Sequence, residues 1–441
     1  MKTRLKVLLC QSYLGPKSGQ PLVFPLGLSY LASMIKEKHE VFGWDPNVSE
    51  DPMKELAALL SKVNPDVVGV SLRNIDSIFS FNKRSYYDPF VSMIRVIREN
   101  APSCILVVGG YGFSLFAKEI MNRNPAIDIG LVFEGELAFA ELLENLDHPE
   151  NVKNLIIRKG GKPLFTGRRE WANFNLLPFP SREFFDIEKY LQAPYSFGVN
   201  TSRGCGYDCI FCPIKDVMGV SLRLRSPEKV VDEIEVLVND FGVTSFNFAD
   251  ELFLPLTHSR GICREIIKRK LDITWQAAFH PLFINKPFME EALKAGCTLF
   301  DFSPDGASNN ALRFLGKNYS IDYVDKTVAL ASKMEGANVA YSFLYDLPKY
   351  NDDHVKGLMR LIPKMMIALR SKLLFISLTK LRIYPYTQIC KIAMKEGKIN
   401  AQTDLIYPTF YESNSSPNLA NSLVSALWGS SILFRKVFQK K

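Results

Sequence analysis

The chain has 441 residues, 47% of them hydrophobic, with 54 Lys and Arg against 46 Asp and Glu. That is an ordinary globular composition with enough chain for two or three cores. The formal charge of +8 is spread along the sequence and no zinc knuckle or other compact nucleic-acid motif occurs, so nucleic acid is not expected as a partner. No stretch of about 18 uncharged apolar residues exists, since the best candidate, 365–378, contains Arg370 and Lys372. The apolar run at the first residues is too brief for a signal peptide and continues into a strand-like pattern, so a cytoplasmic protein is expected.

From 1 to about 150, strand-like runs alternate with helical patterns. The strands are expected at 5–9, 40–44, 67–72, 105–108 and 129–133, and the helices at 26–38, 52–63, 89–100, 113–123 and 136–146. Such alternation predicts a parallel sheet covered on both faces, a flavodoxin-like doubly wound α/β domain. Ligands of these sheets bind beyond the carboxyl ends of the strands. Three loops stand there: Ser71-Leu-Arg-Asn-Ile-Asp76, Gly109-Gly-Tyr-Gly-Phe-Ser114 and Glu134-Gly-Glu136. His39, at the end of the first helix, reads as a solvated residue favoured by the helix dipole.

The segment 151–194 reads as a linker, an extended strap with Pro178 and Pro180. From 195 to 390, six strand–helix units are expected, with strands at 197–201, 245–249, 273–277, 298–303, 340–344 and 377–384, which predicts a partial TIM-like barrel. Ser226-Pro-Glu228 is a helix start, with Ser226 as cap, and Gly242 is its stop.

The most specific motif follows the first of these strands. In Thr201-Ser-Arg-Gly-Cys-Gly-Tyr-Asp-Cys-Ile-Phe-Cys-Pro213, the thiols of Cys205, Cys209 and Cys212 fall at C-x3-C-x2-C. With eight cysteines in the chain, chance gives this spacing about 0.003 times. A structural zinc site wants four ligands, and no second cysteine pair or nearby histidine follows Cys212. Three thiolates on one short loop suit a cubane iron–sulfur cluster with one iron left open. Cys10, Cys104, Cys263, Cys297 and Cys390 are scattered among apolar residues and read as core.

The cysteine spacing, with Phe211 before the third thiol, resembles the radical S-adenosylmethionine superfamily. The order of the three N-terminal loops ahead of a three-cysteine barrel resembles its cobalamin-binding members, over residues 1 to about 410. The resemblance implies a 4Fe-4S cluster on Cys205, Cys209 and Cys212, S-adenosylmethionine on the open iron, and a 5′-deoxyadenosyl radical from its cleavage. It implies cobalamin on the N-terminal domain, with Ser71, Arg73, Asn74, Gly109, Gly110, Glu134 and Gly135 as contacts. The Asp-x-His-x-x-Gly loop of many cobalamin domains is absent, so a cobalamin without a lower histidine is implied. For S-adenosylmethionine the resemblance points to Phe211, Ala249, Asp250 and Glu251, and to Ser303 or Asp305 in place of a missing glutamate. A solvated pair of loop acids is the competing reading of Asp250 and Glu251. His280 and Tyr345 stand at strand ends as candidate catalytic groups; the imidazole suits either proton transfer near pH 7 or a structural contact. Tyr345-Asp346 and Tyr384-Pro-Tyr-Thr387 depart from the family's glycine-containing loops and imply a divergent pocket.

The activity implied is methyl transfer to an unactivated carbon or phosphorus of a small-molecule or lipid substrate, with an electron donor such as flavodoxin or ferredoxin. Radical cyclisation, rearrangement or ring contraction is the alternative within the fold, and an iron–sulfur or corrin-binding accessory protein the alternative outside it. In the C-terminal extension, 391–441, a helical pattern from 421 to 438 carries Leu423, Val424, Leu427, Trp428, Ile432 and Phe434 before a basic end. It fits either a stripe packed on the barrel or, through 421–441, peripheral contact with an anionic membrane.

Overall fold

The computed structural model describes residues 4–16 and 20–413, and the expected tail helix lies outside the described residues. The N-terminal strands are β1 (Lys6–Gln11), β2 (Glu40–Trp44), β3 (Val67–Ser71), β4 (Ile105–Gly109) and β5 (Ile129–Leu131). Helices α1 (Leu26–Ile35), α2 (Pro52–Val63), α3 (Tyr87–Asn100), α4 (Tyr111–Arg123) and α5 (Glu136–Glu144) cross between them. All five strands pair in parallel. β1, β3 and β4 are buried nearly throughout, as central strands with helices on both faces must be.

The segment read as a linker does more than connect. β6 (Leu155–Lys159) adds antiparallel to β5, and β7 (Lys162–Phe165) antiparallel to β6, giving a seven-stranded sheet of order β2-β1-β3-β4-β5-β6-β7. The hairpin turns on Gly160 and Gly161, both at positive φ, which their lack of a Cβ permits. A short helix, α6 (Ile187–Leu191), completes the strap.

The second sheet is parallel and open, of order β15-β14-β13-β12-β11-β8. Its strands are β8 (Phe197–Val199), β11 (Ser245–Phe248), β12 (Thr274–Phe279), β13 (Cys297–Asp305), β14 (Val339–Tyr345) and β15 (Leu373–Lys380). Between β8 and β11 a two-stranded hairpin, β9 (Ser202–Arg203) and β10 (Arg223–Leu224), encloses the cysteine loop and its helix α7 (Ile214–Met218). The outer layer is α8 (Pro227–Phe241), α9 (Leu256–Arg269), α10 (Lys286–Lys294), α11 (Asn309–Phe314), α12 (Ile321–Lys333) and α13 (Asn351–Leu369), and α14 (Gln388–Lys395) follows β15. α8 forms as its sequence dictates: the Ser226 side chain accepts from the Lys229 N–H, Pro227 takes the first turn, and Gly242 closes the helix at φ 66°. Its Val230, Ile234 and Leu237, one face at helical spacing, are buried against the sheet. The sixth strand runs over Leu373–Lys380, starting and ending four residues earlier than the pattern of 377–384 suggested, and Tyr384 and its neighbours form the loop beyond it.

The two sheets share an apolar core. Phe24 stacks on Phe197 of the barrel with ring centroids 4.9 Å apart and meets Tyr190 of the strap edge-on at 5.0 Å. A buried aromatic cluster of this kind packs the first domain and the strap against the β8 edge of the second sheet.

Candidate cofactor cleft

The cysteine loop is held by backbone contacts on two sides. The Cys205 N–H donates to the Gly219 carbonyl at 3.0 Å, the Cys212 N–H to Cys209 at 3.1 Å, and the Ile210 N–H to Leu315 at 3.2 Å. Gly316, at φ 79°, lies so close to the loop that a Cβ there would meet the Asp208 carbonyl oxygen at 2.2 Å. All three thiols are partly accessible, and burial pushes each upward, Cys212 to about 12. Glu251 adds to the rise at Cys205 and Cys212, neighbouring thiols add to it at Cys209 and Cys212, and Lys317 opposes it at Cys205 and Cys209. Such thiols become thiolates only with a cationic metal centre to offset the cost. Among the described residues no three ligating groups close around a single metal ion. A cubane fits that spacing, because its three thiolates bind three different irons and stand further apart than ligands of one ion.

The strand ends of the barrel surround this loop. Asp250 accepts from the Thr201 N–H at 2.7 Å, from the Thr201 hydroxyl, and from the Ser202 hydroxyl at 3.0 Å, so its carboxylate braces the entry to the cysteine loop. The Ala249 carbonyl accepts from the Asn200 side chain at 2.9 Å. Glu251 makes no hydrogen bond within the described residues and stands open to the cleft, its carboxyl raised to about 7 by desolvation and by Asp250. Asp305 is buried against Lys317 at 2.5 Å, whose ammonium also donates to the Ser303 carbonyl at 3.1 Å and lies 5.9 Å from the Phe211 ring.

His280 stacks on Tyr207 of the cysteine loop, centroids 4.7 Å apart, and its Nδ1 accepts from the Leu282 N–H. Burial and the nearby Lys317 charge lower it to about 4, so the ring is neutral near pH 7 and packs as a wall beside the cysteine loop. The Tyr345 hydroxyl lies 3.4 Å from that of Ser80, joining the barrel to the N-terminal sheet's long loop.

The carboxyl edge of the N-terminal sheet faces the same cleft. Ser71 and Gly109 end adjacent strands in register, and at Gly110, φ 102°, a Cβ would meet the Leu72 carbonyl oxygen at 2.7 Å. The Arg73 guanidinium has no ion-pair or hydrogen-bonding partner among the described residues, and burial lowers its pKa despite the charge of Asp45. Asn74 follows it, and the buried Ser12 hydroxyl beside Ser71 is likewise unpartnered. Bare backbone with orphaned polar groups fits a large ligand rich in amides, as a corrin is. Tyr111, at the start of α4, is half-buried where the charges of Cys212 and Glu251 reach it, which joins this edge to the cysteine loop. His39 is elsewhere: it is buried, its Nδ1 accepts from the Leu5 N–H at the amino edge of the sheet, and desolvation lowers its pKa. The solvated, dipole-favoured histidine expected from the sequence is therefore corrected, and its place rules it out as a lower ligand at the carboxyl edge.

Glu134 and Gly135 turn inward. Glu134 takes Arg223 at 2.7 Å and Arg203 at 3.2 Å, and Glu136 takes Arg203 at 2.6 Å. Arg203 also lies over the rings of Phe174 and Tyr30, and Arg223 over Trp171. A Cβ on Gly135 would meet Leu131 and Leu31. The Glu134 carboxylate is thus committed to a clasp that ties the hairpin carrying the cysteines to the first domain. A second clasp joins Asp76 to Arg382 at 2.5 Å and to the Tyr384 hydroxyl at 3.2 Å. The sequence pattern missed Arg203, Arg223 and Lys317; the only trace was the position of the two arginines either side of the cysteine loop.

Residues 199–362 match the radical SAM superfamily and residues 19–143 the B12 binding domain, covering the two halves of this cleft. The chain belongs to the cobalamin-binding radical S-adenosylmethionine family. Among sequence relatives of this radical enzyme, an uncharacterized methyltransferase of Pyrococcus horikoshii is 29% identical over 78% of the chain and 74% of its own length. Cytidylyl-2-hydroxyethylphosphonate methyltransferase of Streptomyces wedmorensis is 25% identical over 57% of the chain, which spans 55% of that relative. The fold is shared with the radical S-adenosylmethionine methyltransferase TsrM of Kitasatospora setae, solved with cobalamin and a [4Fe-4S] cluster (TM-score 0.76, 20% identity, 95% of this chain and 84% of that one). It is also shared with the cobalamin-dependent radical enzyme OxsB (TM-score 0.75, 19% identity, 97% and 67%).

Proposed function

We propose that the protein transfers a methyl group to an unactivated carbon or phosphorus of a small-molecule substrate. The observation that carries this reading is the shared cleft: the carboxyl edge of the cobalamin-type sheet, through Tyr111, meets the cysteine loop and Glu251 of the barrel. When bound, the cluster supplies the electron that cleaves S-adenosylmethionine to a carbon radical, and cobalamin supplies the methyl group.

In this reading Cys205, Cys209 and Cys212 hold the cluster, and the Gly316 approach keeps their loop in place. The free Glu251 carboxylate receives the ammonium of S-adenosylmethionine, while Asp250 and the Ala249 carbonyl hold the turn that presents it. Lys317 holds Asp305, and with it the Ser303 turn, beside Phe211. Ser71, Arg73, Asn74, Gly109 and Gly110 cradle the corrin, and the aromatic wall of Tyr207 and His280 excludes water from the cysteine loop. With no histidine at the sheet's carboxyl edge among the described residues, a bound corrin would take no protein imidazole there, which would ease the reduction that methyl uptake requires. A small one-electron protein of the flavodoxin or ferredoxin kind is the expected reductant.

The test is anaerobic incubation of the reconstituted protein with candidate acceptors and labelled S-adenosylmethionine, followed by mass analysis. One added methyl group per product supports the reading. A product altered without a methyl group favours radical cyclisation, which the 25% identity to the anaerobic magnesium-protoporphyrin IX monomethyl ester cyclase of Rubrivivax gelatinosus keeps as a second reading.

A further inference from the structure

The barrel lumen carries a charged group that none of the cofactor roles uses. Strand alternation sorts the sheet cleanly: Phe246, Phe248, Trp275, Phe279, Phe300, Phe302, Tyr341 and Phe343 pack outward with the helices in one core. The opposite, concave face therefore carries Asn247, Gln276, Ala278, Asp301, Ala340 and Ser342. Asp301 lies in register between Ala278 and Ala340, so small side chains flank the carboxylate on both neighbouring strands.

Asp301 is unpaired. Its Oδ1 is buried with no hydrogen-bond partner, and no cation is offered to it, because Lys317 is committed to Asp305. Desolvation and the Asp305 charge lift its carboxyl to about 6. The side chains of Asn247, Gln276 and Ser342 on the same face also make no hydrogen bond among the described residues. A buried carboxylate flanked by uncharged side chains and repelled by Asp305 is costly unless a donor of opposite charge reaches it. A divalent cation does not fit, since it needs several oxygen ligands and alanines stand on either side. A hydroxyl would satisfy the oxygen without offsetting the charge; an ammonium does both.

We propose that the floor of the barrel is a subsite for a protonated amine on the substrate, received by Asp301, with the adjoining carbon skeleton lying along the partly accessible Ala278. The proposal rests on the radical-enzyme reading and narrows its substrate to amine-bearing compounds.

The test uses the cofactor-loaded enzyme and two probes of one shape, benzylamine and benzyl alcohol, with dissociation constants measured by calorimetry at about pH 7.5, where the amine is charged and Asp301 ionised. Benzylamine is expected to bind about tenfold more tightly than the alcohol or better. Asp301→Asn should abolish that preference, and Ala278→Val, which fills the space beside the carboxylate, should weaken the amine. Equal binding of the two probes, no binding of the amine, or a preference that survives in Asp301→Asn overturns the subsite. Cleavage of S-adenosylmethionine without substrate is measured on the same samples. Its absence would count against the radical reading alone, whereas intact cleavage with no amine preference would count against the subsite alone.

Discussion

Replacing Glu136 by Gln should loosen the cysteine-bearing hairpin from the N-terminal domain. The clasp holds two guanidiniums and two carboxylates, and both Arg203 and Glu136 are buried, with side chains 8% and 7% exposed. Burial pushes the Glu136 carboxyl up, but the Arg203 charge and hydrogen bond outweigh it and hold the group below the ordinary glutamate range. Its contribution is therefore complete at neutral pH and is lost only as acid carries the group through its lowered pKa. Glutamine keeps the shape and removes the charge, leaving Arg203 and Arg223 to share Glu134 alone. Removing one partner of a buried pair costs about 3–5 kcal/mol, and the lower end applies because Arg203 keeps Glu134. About 3 kcal/mol off the local opening free energy corresponds to about 150-fold faster amide exchange. Hydrogen exchange followed by mass spectrometry on peptides covering 200–226 reads this directly, since the Arg225 and Cys205 N–H groups are bonded there. Glu119→Gln, which breaks an exposed pair with Arg123, is the control and should leave exchange unchanged. Less than about tenfold acceleration in Glu136→Gln, or equal acceleration in both variants, would refute the clasp.

Cys209→Ala should lose the cluster and all cleavage of S-adenosylmethionine by iron analysis and product assay, whereas Cys297→Ala, whose thiol lies in the core against the Leu299 carbonyl, should keep both. Gly316→Ala should lower cluster occupancy, read by absorbance, because its Cβ meets the Asp208 carbonyl and its φ is positive; full occupancy would count against the backbone cradle. His354 is buried neutral, its Nδ1 accepting from Ala307 and its Nε2 donating to Leu344, with its pKa lowered to about 4 by desolvation. The stability it lends is present above about pH 6.5 and is lost as pH falls towards 4, about 2 kcal/mol by pH 5, so thermal unfolding should show an acid-side loss that His354→Gln flattens. Cobalamin bound to the protein should give base-off spectra without nitrogen coupling from a lower ligand, and coupling traceable to His39 would overturn the placement of that ring at the amino edge.

The sequence by itself determined what is encoded locally. Cysteines at C-x3-C-x2-C read as a cluster loop because one short turn must gather all three thiols, and Ser226, Pro227 and Gly242 mark α8 because capping acts within a few residues. The alternation of strands and helices carries the doubly wound sheet and the six-stranded barrel for the same reason, periodicity being a local signal. Only the tertiary structure decided what lies between distant segments. Glu134 and Arg203 are 69 positions apart, Asp76 and Arg382 306 apart, and such pairs leave no periodic trace. The added hairpin of β6 and β7 was hidden in a Gly-containing stretch that reads equally as a linker. Whether Asp250 or Glu251 stands free also depended on the fold: the two are adjacent in sequence, yet the Thr201 turn takes one and leaves the other open to the cleft.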